Sequence, residues 1–112
     1  IRMPLEDFLA PGESIHYRSP TKVEYQGDLY DFYITDRRLI WHKREGLVFK
    51  KDKFVSEVLE NVEGIKYYEK GVISKKGFIE IQMKNKKLTF SGPVQAIRAI
   101  YSEMQAYMKP SD

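Results

Sequence analysis

Between residues 37 and 53 the chain gathers Arg37, Arg38, His42, Lys43, Arg44, Lys50, Lys51 and Lys53 against only Glu45 and Asp52. Forked guanidinium donors and compact ammonium charges at this density suit one chemistry, the recognition of phosphate or carboxylate. Near an anionic membrane each such base contributes about 1 kcal/mol of salt-sensitive attraction. Arg37, His42, Lys43, Arg44, Lys50, Lys51 and Lys53 are therefore the candidate anion- or lipid-binding residues. A plainer reading stands beside this one, that lysines solvate exposed strand edges and hairpin tips and deter edge-to-edge pairing. Strand alternation also sends successive side chains to opposite faces, so not all of these groups can converge. Two further clusters, Lys70 with Lys75 and Lys76, and Lys84 with Lys86 and Lys87, fall at expected loop tips.

The charge is unevenly distributed. Residues 37–53 and 66–87 each carry +5, and the rest of the chain carries −7, within a net charge of +3. Blocks of this kind can form a positive face. Catalytic chemistry finds little to work with. There are two histidines and no cysteine, and the chain contains no H-E-x-x-H pair, no G-x-S-x-G elbow and no glycine-rich phosphate loop. Asp28, Asp31 and Asp36 lie close in sequence, but aspartate is ordinary at turns. No enzyme, cofactor or metal is expected. Nucleic-acid binding, which needs bases interleaved with exposed aromatics on one face, is not expected either.

The elements that must position these residues are mostly strands. At 112 residues with 42% hydrophobic content the chain suits one domain, and its 13% aromatic content favours half-buried pleated surfaces. Residues 1–12 are expected as an N-terminal extension, 13–92 as strands and 93–109 as a capping helix. Leu5, Phe8 and Leu9 suit a short helical turn ended by Pro11 and Gly12. Ile15, Tyr17, Val23 and Tyr25 alternate along a strand interrupted near Ser19 and Pro20. After a turn at Gly27 and Asp28, Tyr30, Phe32 and Ile34 point one way and Leu29, Tyr33 and Thr35 mostly the other. The chain then turns at Asp36 and Arg37 into Leu39, Ile40 and Trp41. Strands are expected over 54–59 and 62–69, and Gly71 and Gly77 bracket a loop or short strand. A hairpin over 78–90 turns at Asn85 and Lys86.

About seven short strands describe a sandwich or small barrel. In the last segment Pro93 suits the first helical position. Val94, Ile97, Tyr101, Met104 and Met108 then line one helical face, which the open end of the sheet assembly would cover. No internal repeat of useful length is evident. No stretch approaches the roughly 18 apolar residues of a membrane-spanning helix. The start at Ile1 suggests a fragment or processed product, and an intracellular, cytoplasmic location, at most peripheral to a membrane, is expected.

The string Tyr33 to Trp41, YITDRRLIW, resembles the second and third strands of pleckstrin-homology-like domains of the bacterial PH, GRAM and GLUE groups. Gly12-Glu13 resembles their "GE" opening, and the apolar strand from Phe54 leading to Ile65, with the final helix, extends the likeness over nearly the whole chain. The resemblance implies a seven-stranded barrel-like sandwich capped by one helix. Its loops would bind phosphoinositides, other anionic lipids or protein segments, as a non-catalytic module. One departure accompanies it, in that the first hairpin, Tyr25-Gln26-Gly27-Asp28, carries no base. Arg38 matches the recurring motif and is expected to hold its turn through a salt bridge or bonds to carbonyls. The likeness to GLUE domains of ESCRT-type trafficking complexes adds a ubiquitin-like protein or peptide as the alternative partner.

Overall fold

Period-two alternation becomes strands and the 3–4 spacing becomes a helix. The computed structural model describes residues 4–107. After a 3-10 turn, Pro4–Phe8, come β1 (Ile15–Arg18), β2 (Val23–Tyr25), β3 (Asp28–Thr35), β4 (Arg38–Glu45) and β5 (Lys51–Val58). A second 3-10 turn, Leu59–Asn61, leads to β6 (Val62–Lys70), β7 (Lys76–Met83), β8 (Lys87–Pro93) and the helix α1 (Val94–Tyr107). Met108 and Lys109, expected in the helix, lie outside the described residues.

All pairings are antiparallel, in the order β5-β4-β3-β2-β8-β7-β6. The expected first strand is two, β1 and β2, lying end to end along one margin of β3: β1 pairs with Tyr33–Thr35 and β2 with Asp28–Tyr30. At the interruption Ser19 is buried, its amide bonding the Phe32 carbonyl and its hydroxyl the Thr21 carbonyl. β2 joins the two halves of the sheet through the Glu24–Ser91 pair. The sheet stays open, because β5 and β6, though consecutive, do not pair.

The inward faces bury one aromatic-rich core. Tyr25 stacks on Trp41, Phe32 on Phe90, and Trp41 meets Phe90 edge-on at 5.4 Å, arrangements that aromatic quadrupoles favour. α1 packs on β6, β7 and β8 and buries Ala96, Ile97, Ile100 and Met104. Ile97 and Met104 belong to the expected stripe, whereas Val94 and Tyr101 are only half-buried and Ile100 takes the central place. Pro93 ends β8 rather than opening the helix. A smaller cluster on the outer face of the first sheet, Leu5 with Tyr33 and Ile40, sits under the N-terminal turn.

Two strand boundaries differ from expectation for physical reasons. β5 begins at Lys51, earlier than its apolar residues announce: its polar first residues extend the ladder to the Glu45–Lys51 pair, and Asp52 binds His42 of β4 at 2.8 Å across the hairpin. Gly77 is inside β7, not at a loop boundary, and serves close approach: a Cβ there would stand 2.9 Å from the Ile97 Cβ. Gly77→Val is therefore expected to lift α1 off the sheet and destabilise the fold by about 1–3 kcal/mol. An unchanged urea midpoint would contradict this account of the helix contact.

Candidate functional site

The β4–β5 hairpin carries most of the candidate bases, and its register divides them. Lys43 pairs with Lys53, and both ammonium groups approach the Tyr30 ring, at 5.4 and 6.0 Å. Lys43 is further held by Asp28 and Glu45, each at 3.2 Å. Hydrogen bonds that it donates to Glu45 and then to Asp28 raise its pKa, so it stays charged. Its charge is largely answered within the domain. Arg44, Lys50 and Lys51 are exposed and make no ion pair among the described residues.

His42 and Arg37 leave the group. His42 is buried, its Nε2 lying 2.8 Å from Asp52 Oδ1 and its ring stacked on Phe54 at 4.4 Å. Alternation turns it onto the opposite face from Lys43, where it braces the hairpin through Asp52 and Phe54. Arg37 stands at the β3–β4 turn, at the far end of β4 from residues 46–50, and donates to the Pro11 carbonyl at 3.2 Å.

Sequence reasoning passed over the hairpin's apex. Leu47, Val48 and Phe49 are 97, 81 and 88% exposed, an uncovered apolar tip flanked by Arg44, Lys50 and Lys51. Large apolar side chains grouped this way are the informative kind of exposure. The signal was present in the sequence, because a three-residue apolar run inside a charged hairpin has no partner strand to bury it.

The other end of the first sheet holds a buried ionic network. Arg38 donates from Nε to Glu13 Oε2 at 2.9 Å and from Nη2 to Glu13 Oε1 at 3.1 Å and the Phe8 carbonyl at 3.1 Å. The Thr35 hydroxyl donates to Glu13 Oε2 at 2.6 Å and accepts from the amides of Arg37 and Arg38. The Ala10 amide adds a bond to Glu13 Oε1 at 2.8 Å. Arg38 thus holds its turn, as the motif implied. Burial pushes the Glu13 carboxyl up, but bonds from Arg38, Thr35 and Ala10 together outweigh it, bringing the pKa down to about 2. Beside this network an open groove of about 540 Å³ runs between Phe8, Arg37, Val58 and Leu59.

No protein-family model matches the sequence, and no curated protein matches it. Among solved structures the chain is similar to a pleckstrin homology domain from Shewanella amazonensis SB2B, with a TM-score of 0.63 and 17% identity over 92% of this chain and 90% of that one. It is also similar to the C-terminal domain of an unknown protein from Leishmania infantum, with a TM-score of 0.58 and 15% identity over 88% of each chain. The chain has a pleckstrin-homology-like fold. Among the described residues no helix is long and apolar enough to cross a membrane.

Proposed function

We propose that this domain is a non-catalytic binding module that docks on anionic lipid surfaces through its β4–β5 hairpin, peripheral to the cytoplasmic face of a membrane. The uncovered Leu47-Val48-Phe49 tip, with Arg44, Lys50 and Lys51 beside it, carries this reading. Apolar side chains entering the acyl boundary add burial to the attraction that bases feel for anionic headgroups, and the two contributions differ in salt dependence. Sedimentation with phosphatidylcholine vesicles, with and without phosphatidylserine, tests it. Binding is expected to require the anionic lipid and to weaken, without vanishing, as salt rises. Absence of binding at low salt would sink the reading.

The open edge of β5, beside the groove bounded by half-exposed Phe8 and Val58, supports a second reading. A peptide strand or a small folded partner such as a ubiquitin-like protein would add to this edge. Amide shifts confined to β5 on addition of ubiquitin, with none at residues 46–50 on addition of vesicles, would favour it.

A further inference from the structure

The groove beside the Glu13–Arg38 network combines apolar walls with an acidic rim. Phe8 and Val58 stand 54 and 47% exposed along it, and half-buried Leu59 follows Val58. The Phe8 ring rests on Phe54 at 4.5 Å. On the other side of Phe8 lies a smaller hollow of about 180 Å³, bounded by Leu5, Ile40 and Phe54, which shares Phe8 and Arg38 with the groove. The groove's own volume of about 540 Å³ falls within the roughly 300–1,000 Å³ of built ligand sites. Its back wall is fixed. Glu13, Thr35 and Arg38 are locked by their mutual hydrogen bonds, and the Ser14 amide donates to the Asp36 carboxylate at 2.9 Å. A wall already ordered loses little freedom when a partner arrives.

The charges here are opposite in sign to those of the β4–β5 tip. Asp36 and Glu60 line the groove, and the turn that supplies Phe8 adds the exposed Glu6 and Asp7. Of the two arginines, Arg38 is answered by Glu13 and Arg37 donates to the Pro11 carbonyl. Among the described residues no lysine lines the groove. Lys51 begins β5 and Val58 ends it, so groove and tip stand about 20 Å apart along an extended strand. An anionic bilayer repels such a set of carboxylates, which leaves the apolar walls for a different occupant.

From the apolar walls and the acidic rim together we infer that the groove receives a basic amphipathic segment of a partner protein. Its apolar side chains would pack on Phe8, Val58 and Leu59, and its lysines or arginines would face Glu60, Asp36 and Glu6. The contact requires no pairing with the open edge of β5, and it is independent of the bilayer reading of the tip.

Amide shifts of the isotope-labelled domain, measured without lipid, test this with two short helical peptides. One carries leucines on one face and lysines on the other, and the second has glutamates in place of the lysines. The lysine peptide is expected to move the amides of residues 8–10, 36–38 and 58–60 and to leave 46–50 in place, and the glutamate peptide to bind roughly tenfold more weakly. Val58→Ser should weaken the lysine peptide several-fold. Glu6→Lys with Glu60→Lys should weaken it about tenfold and let the glutamate peptide bind instead. All three positions are exposed, so urea midpoints should hold in these variants. Shifts running along residues 51–57 would assign the peptide to the β5 edge, overturning the groove and supporting strand addition. Equal affinity for the two peptides, or a charge-reversed variant that binds as the wild type does, would remove the acidic rim as the basis of recognition. No shifts with the lysine peptide would overturn the proposal outright and leave the vesicle test of the tip untouched.

Discussion

Glu13→Gln is expected to destabilise the domain by about 3 kcal/mol at neutral pH and by almost nothing near pH 2. The figure follows from the fall of the Glu13 pKa from 4.5 to about 2, each unit being worth about 1.4 kcal/mol. The sign follows from proton binding. The folded state holds this carboxylate deprotonated where the unfolded chain would take up a proton, so the stabilisation is complete above about pH 4.5 and is lost as pH falls through 4.5 towards 2. Screening does little here, since the Glu13 side chain is fully buried and that of Arg38 only 27% exposed. Glutamine retains an acceptor for Arg38 but loses the charge and places an amide donor against the Thr35 hydroxyl, which must then turn away. Urea midpoints of both proteins at pH 7, 4 and 2 decide the matter. Curves that run parallel over the range would remove Glu13 as the source of acid sensitivity. Because the network lies at the far end of the first sheet from residues 46–50, the variant should keep its affinity for vesicles.

The fold was legible wherever one face of an element is buried. Tyr30, Phe32 and Ile34 alternate because they enter one core, and the turn at Asp36 and Arg37 stands between two runs of that alternation. Arg38 was readable as a structural residue, although its partner Glu13, 25 positions away, was not, since only strand pairing brings them together. Charge blocks along the chain translated poorly into faces. Many bases meet acids contributed by other strands: Lys43 meets Asp28, Lys76 meets Glu24, Lys86 meets Glu57 and Arg98 meets Glu69. His42 followed the basic run in sequence, but one step of pleat turned it onto Phe54 and Asp52. The apolar tip of the β4–β5 hairpin needed a different reading: period-two and period-3.6 patterns mark residues that the chain itself buries, and the run Leu47-Val48-Phe49, legible as apolar, belongs to neither pattern because nothing among the described residues covers it.

That same lack of cover makes Leu47→Ser, Val48→Ser and Phe49→Ser together the sharpest functional variant. At 81–97% exposure these side chains contribute little to folding, and exposed substitutions usually stay within about 0.5 kcal/mol, so the urea midpoint should hold. Transfer to hydrocarbon is worth roughly 1.5–3 kcal/mol for each fully buried Leu, Val or Phe, and entry to the acyl boundary realises a part of it. A loss of about 3–5 kcal/mol, a hundredfold or more in partitioning, is expected. The residual binding should be almost wholly electrostatic and disappear at high salt, since Arg44, Lys50 and Lys51 remain. Replacing those three by alanine instead should remove about 3 kcal/mol at low salt and leave a weaker, salt-indifferent attachment. Two variants of similar loss and opposite salt response are the signature of a tip that inserts beneath a ring of bases. If the serine variant binds vesicles as the wild type does, the tip stays in water, and the attraction rests on charge alone.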